Sequence, residues 1–182
     1  MVLAGGRSRR YGADKSLVHV GGVAMVRLVA DALVAAGIPS VIALGGDEAA
    51  LRELGLSVLA DHHPGEGPLG ALVTAFAEIT ADVLVVAACD LPALDGTFVR
   101  SVLDELRRAP GAAAALARTD RLEPLGAAAY RVTACAGPFR AAFDRGERSL
   151  QHVLSGVPTV LVDADPAVLL NVNHPSDRPQ PG

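Results

Sequence analysis

One lysine stands among fifteen arginines in this 182-residue sequence, and it closes a glycine-rich run: Leu3, Ala4, Gly5, Gly6, Arg7, Ser8, Arg9, Arg10, Tyr11, Gly12, Ala13, Asp14, Lys15. A lysine is a compact point charge on a flexible stem, suited to phosphate oxygens that a planar guanidinium would crowd. A short apolar segment, then glycines, then several cations before a helix is an arrangement whose backbone amides cradle phosphate. Chance retention of a single lysine is the plainer reading, and the position of Lys15 weighs against it.

A second chemical group is Asp90, in the run Cys89-Asp90-Leu91-Pro92 that follows the continuous apolar segment 83–88. A carboxylate at the carboxyl end of a buried parallel strand lies where open α/β sheets bind ligands. Pro92 prevents the strand from pairing further, so Asp90 is expected to face a crevice. A carboxylate there needs a partner, and a magnesium ion carrying nucleotide phosphates would serve. The alternative is that Asp90 caps the helix expected near Asp95 or pairs with an arginine.

Two further segments have suggestive spacing. Residues 65–70, with Gly65, Gly67 and Gly70, match the letters G-x-G-x-x-G, and Asp90 follows at the distance a dinucleotide fingerprint requires. The context argues against that fingerprint, because Asp61, His62, His63, Pro64 and Gly65 intervene after the preceding strand, and Pro68 lacks an amide donor. A glycine loop entering a helix remains, suited to backbone contacts with a base or sugar. His62 and His63 are adjacent and have no third ligand nearby, so solvated loop histidines are expected. Asn171 and Asn173 alternate after the apolar run 168–170, so an extended backbone would turn both amides toward one ligand; an asparagine-rich turn before a helix is equally open.

These groups need a frame. Apolar runs of strand length at 2–4, 41–44, 56–59, 83–88, 112–117, 127–130 and 159–162 alternate with helical periodicity. Met25, Val26, Val29, Leu33 and Val34 predict a helix stopping at Gly37, and further helices are expected over 69–79 and from Phe98 to Leu106. The unbroken apolar character of 83–88 indicates a strand covered on both faces. The whole reads as a three-layer α/β domain with a mostly parallel sheet, one domain over 1–175 and a loosely ordered tail over 176–182.

Composition narrows the partners. Half of the residues are apolar and a fifth charged, with a net charge of −4, 3% aromatics and no tryptophan, so neither a basic footprint nor a stacking platform for nucleic acid is present. No run of eighteen apolar residues and no signal-peptide order appears, so a cytoplasmic protein without membrane contact is expected. Cys89 and Cys135 form no disulfide framework or metal-ligand pattern.

Taken in order, Leu3-Ala4-Gly5-Gly6 with Arg10, Gly12, Asp14 and Lys15, then Gly67-Pro68-Leu69, then Cys89-Asp90-Leu91-Pro92, then Asn171-Val172-Asn173 with Pro175 and Asp177, resemble the sugar-phosphate-type nucleotidyltransferases over nearly the full length. Glu123-Pro124-Leu125 leading to Tyr130, and Gly146-Glu147-Arg148-Ser149-Leu150, make the chain most similar to the molybdenum cofactor guanylyltransferases among them. Tyr11 and His174 stand where methionine and threonine are usual in that family.

The resemblance implies a Rossmann-like α/β/α nucleotidyltransferase fold and a reaction in which the terminal phosphate of molybdopterin attacks the α-phosphorus of GTP and releases pyrophosphate. It implies that Leu3, Ala4, Gly5, Gly6 and Arg7 lie along the nucleotide phosphates and that Arg10 and Lys15 neutralise them. Asp90 would hold Mg2+, Asp61 with Gly67, Pro68 and Leu69 would lie near the nucleoside, and Asn171 and Asn173 near the reacting phosphates or the pterin. Transient contact with cofactor-delivery proteins is a further expectation. A sister transferase using CTP, GTP transfer to another phosphorylated acceptor, and a nucleotide-binding accessory protein without turnover stay open.

Overall fold

The computed structural model describes residues 1–5 and 14–172. Nine strands and six α-helices follow one another as β1 (Val2–Leu3), β2 (His19–Val20), β3 (Val23–Ala24), α1 (Met25–Ala35), β4 (Ile42–Leu44), α2 (Glu48–Glu53), β5 (Ser57–Leu59), α3 (Gly67–Glu78), β6 (Val83–Ala88), α4 (Gly96–Arg108), β7 (Ala114–Arg118), β8 (Leu122–Arg131), α5 (Val132–Asp144), α6 (Leu150–Ser155) and β9 (Thr159–Asp163) among the described residues, with a short 3-10 turn at Lys15–Leu17 before β2. Seven strands form one sheet in the order β5-β4-β1-β6-β8-β7-β9, while β2 and β3 form a separate two-stranded hairpin.

The sheet is mostly parallel: β5, β4, β1 and β6 pair in parallel, as do β7 and β9, and β8 alone runs antiparallel between β6 and β7. The apolar run of β6 takes a central place because both of its faces are covered. Val85 and Ala87 face the core built with α1 and α4, whereas Leu84 and Val86 face the core built with α3, α5 and α6. That alternation makes three layers from one sheet. On the second face Phe76, Tyr130 and Phe139 meet edge to face with centroids 5.3–6.0 Å apart, joining α3, β8 and α5.

Local chemistry explains the helix starts. Asp95 accepts from the amides of Thr97 and Phe98, each at 2.8 Å, and so begins α4. Gly96 lets α4 approach α1 closely, since a Cβ there would stand 2.8 Å from the Ala35 carbonyl carbon.

Several elements differ from the sequence reading. The strand expected over 127–130 is the second half of β8, which begins at Leu122 and contains Glu123-Pro124-Leu125. Its register shifts opposite both neighbours, and Ala127 has φ 78°. The β2–β3 hairpin, α2, α5 and α6 were not expected at all. The hairpin turns on Gly21 and Gly22, both with positive φ, while Pro138 lies inside α5 and obscures its helical period. The tail at 176–182 lies outside the described residues.

Candidate active site

The glycine run starts at the middle of the sheet. Ala4 donates to the Leu44 carbonyl at 2.9 Å and Leu3 accepts from Cys89 at 3.0 Å, so β1 is bonded on both sides up to its carboxyl end. The chain runs from β1 outward through β4 to β5, then crosses to β6 on the other side of β1. Gly5 and Asp90 therefore emerge side by side where the direction of winding reverses, at the edge where such sheets bind ligands.

Lys15 and Asp90 meet there. The Lys15 ammonium donates to Asp90 Oδ2 at 2.5 Å, with the two side chains only 12% and 15% exposed. It also lies 3.4 Å from Asn171 Oδ1. The Val172 amide donates to the Asp90 carbonyl at 3.0 Å, which brings the segment after β9 against the end of β6. Among the described residues the alternative roles for Asp90 are not realised: Asp95 caps α4, and the cationic partner is a lysine rather than an arginine.

Asp90 Oδ1 is buried without a hydrogen-bond partner among the described residues. A buried carboxylate oxygen left unsatisfied is costly unless a ligand completes it, and a hard oxygen of this kind suits Mg2+. Among the described residues no group of three or more His, Cys, Asp and Glu side chains gathers to hold a metal. A cation at Asp90 would draw the rest of its coordination from phosphate oxygens and water, which is how Mg2+ is usually held beside nucleotides.

Asp14 fixes the backbone that carries Lys15. Its Oδ1 accepts from the Ser16 amide at 3.0 Å and from Ser16 Oγ at 2.7 Å, and its Oδ2 accepts from the Asp47 amide at 2.7 Å. The turn after β4 closes on this clamp. Gly45 and Gly46 have φ of 83° and 76°, and a Cβ on Gly45 would stand 2.8 Å from the backbone of Gly5. Sequence reasoning missed this bracket; its signal was Gly45-Gly46-Asp47 directly after a strand, with an aspartate immediately before the lone lysine.

The second loop lies on the same edge. Asp61 Oδ1 accepts from the His63 amide at 2.9 Å and lies 3.3 Å from Thr74 Oγ1, so its carboxylate helps close the loop on α3. Gly67 has φ 76° and Pro68 opens α3. The Leu69 side chain is fully buried in the core, as are those of Leu3 and Ala4, so these residues can address a ligand only through backbone atoms. His62 is exposed, 3.6 Å from Glu78, as expected of a loop histidine. His63 is not: its ring packs on Phe143 at 4.6 Å between centroids, because the antiparallel β8 sends α5 back toward this edge. Arg148 also lies over Phe143, at 4.1 Å, and pairs with Glu66, tying the 145–149 loop to the glycine loop.

Both cysteines are buried, which disfavours the thiolate that a nucleophile needs. Burial, reinforced by the Asp90 carboxylate, pushes the Cys89 thiol up to about 12, and burial raises Cys135 to about 11. Gly6, Arg7 and Arg10, with Tyr11 and Gly12, and Asn173, with His174, Pro175 and Asp177, lie outside the described residues.

The family model described as the MobA-like NTP transferase domain matches residues 1–160. A protein of Chloroflexus aggregans named "Probable molybdenum cofactor guanylyltransferase" is 32% identical over 97% of this chain and 89% of its own length. Another of that name, from Pelotomaculum thermopropionicum, is 38% identical over 58% of this chain, a stretch spanning about half (51%) of that relative. Among solved structures, molybdopterin-guanine dinucleotide biosynthesis protein A from Archaeoglobus fulgidus superposes with a TM-score of 0.77 at 24% identity, over 97% of this chain and 92% of that one. At that identity the likeness carries the fold.

Proposed function

This chain belongs to the MobA-like NTP transferase family, and we propose that it moves GMP from GTP to the terminal phosphate of molybdopterin or its molybdenum-loaded form, making the guanine dinucleotide cofactor. The observation that carries the reading is the Lys15–Asp90 contact beside Gly5, where β1 and β6 end together. Relatives named as molybdenum cofactor guanylyltransferases support the choice of donor and acceptor.

In the proposed reaction an oxygen of the acceptor phosphate attacks the α-phosphorus. The bond from that phosphorus to the oxygen bridging to the β-phosphate breaks, and its electron pair leaves with pyrophosphate. No protein nucleophile is needed, so catalysis consists of alignment and neutralisation of charge. Lys15 and Arg10 offset the charge that develops on the leaving pyrophosphate. The amides of Gly5, Gly6 and Arg7 bind phosphate oxygens, and Leu3 and Ala4 contribute backbone atoms to the same strand end. Asp61, Gly67, Pro68 and Leu69 line the nucleoside side, the last through its amide. Asn171 and Asn173 orient the reacting phosphates or the pterin. Asp90 would hold Mg2+, which supplies charge neutralisation when bound.

GTP as donor and two free thiols suit a cytoplasmic location. No helix among the described residues is long and apolar enough to cross a membrane. The dinucleotide product is passed, in this reading, to cofactor-delivery proteins by transient contact. Incubating the protein with GTP, Mg2+ and molybdopterin and weighing the pterin product by mass spectrometry tests the proposal. An added GMP is expected; an unmodified pterin in the presence of consumed GTP would overturn it.

A further inference from the structure

A divalent cation at Asp90 would not find its carboxylate idle. One oxygen, Oδ2, already accepts from the Lys15 ammonium at 2.5 Å, and the same ammonium lies 3.4 Å from the amide oxygen of Asn171. Asp90 and Asn171 thus present two hard oxygens to one positive charge, the donor type a magnesium or manganese ion also takes. The backbone bond from Val172 to the Asp90 carbonyl, 3.0 Å, holds these two segments together, so the closeness of the two residues does not depend on Lys15 alone.

Both side chains of the ion pair are largely shielded from water, at 12% and 15% exposure. Little solvent stands between them, and two like charges against a single carboxylate repel strongly where the effective dielectric is low. The Lys15 backbone has little freedom to retreat, since Asp14 anchors it to Ser16 and Asp47. Its side chain does have that freedom: a lysine stem can swing its charge to another anion while the main chain stays in place.

We propose that Lys15 and the divalent cation compete for the oxygens of Asp90 and Asn171, so that the cation is held well only when a triphosphate offers the Lys15 ammonium another anionic partner. Resting on the nucleotidyl-transfer reading above, this adds an order to it: the site discriminates against metal alone and accepts metal together with nucleotide. Lys15 then has two duties, charge neutralisation on the phosphates and exclusion of unaccompanied metal. The coupling is reciprocal, because a ligand that draws Lys15 away must raise the affinity for the cation by the same factor that the cation raises its own.

The test uses Mn2+ alone, without nucleotide or pterin, with free Mn2+ followed by electron paramagnetic resonance. Wild type is expected to bind it weakly, and Lys15→Met, which keeps the stem and removes the charge, at least about tenfold more tightly. Lys15→Arg, which keeps the charge, is expected to stay weak. Asp90→Asn added to Lys15→Met is expected to abolish the gain, locating the ion at this carboxylate. Circular dichroism confirms that each variant is folded, and Lys15→Gln replaces Lys15→Met if the latter is not. The proposal is overturned if a folded, charge-free variant binds Mn2+ no more tightly than wild type, or if its gain survives Asp90→Asn. Because no nucleotide or acceptor is present, a chain that fails to transfer GMP can still pass this test, and one that transfers it can still fail.

Discussion

An ammonium held against a carboxylate at a ligand edge contributes more to charge control than to the core. Lys15 and Asp90 stand outside both hydrophobic clusters, at the ends of a turn and a strand whose packing is carried by neighbours such as Leu3, Val86 and Leu91. Lys15→Ala and Asp90→Ala are therefore expected to leave the thermal unfolding transition cooperative while lowering turnover by about 10²–10³-fold, the scale of removing one preorganised charge partner. Turnover within a few-fold of wild type in either folded variant would remove that residue from the mechanism. At this scale much was legible. A lone lysine ending a glycine run and an aspartate ending an apolar run both declare themselves by type and position. Their meeting at 2.5 Å did not, because 75 residues separate them and only the sheet order brings them together. The role of Asp14 was hidden for the same reason, since one of its partners is the amide of Asp47.

The elements that hold the site are short, and their turns bear the constraint. Gly45 sits at φ 83° with Gly5 directly against it, so Gly45→Ala meets both a disfavoured backbone and a contact 2.8 Å from main-chain atoms. Gly5 cannot give way by rotating a side chain. Urea unfolding of this variant is expected to show a loss of about 1–3 kcal/mol, with reduced turnover as the turn moves away from Asp14. A stability equal to wild type would show that the turn relaxes without cost and that the Asp14 bracket does not depend on it. Long or strongly patterned elements such as β6 and α4 were legible, the first from an unbroken apolar run and the second from its apolar stripe. The six-residue helices α2 and α6 carry too few turns for a period to show, and β2–β3 is only two residues on each side of its glycines. Helix α5 was hidden by Gly137 and Pro138, which read as a break although the helix continues through them.

Across the whole molecule, one sheet with its winding reversed at β1 gathers the glycine run, Asp90, the 45–47 turn, the 61–70 loop and Asn171 along a single edge. The antiparallel β8 adds the 145–149 loop to that edge by sending α5 back across the second layer. The three-layer α/β class followed from the alternation of apolar runs and helical periods. The mostly parallel sheet followed too, since unbroken apolar runs such as 83–88 mark strands covered on both faces; the antiparallel direction of β8 did not, because its apolar stretch 127–130 looks like that of its parallel neighbours. Net charge is −4, yet the described cation at the center of the edge is Lys15, so the proposed binding of phosphate would rest on local charge and not on that of the whole surface. What that edge does is decided by pyrophosphate release from the purified protein, with Mg2+ and molybdenum-loaded molybdopterin present and GTP, CTP and ATP compared. Release with GTP alone, dependent on the pterin, is the predicted result. Release with CTP in preference to GTP, or none with any of the three, would contradict the guanylyl-transfer account.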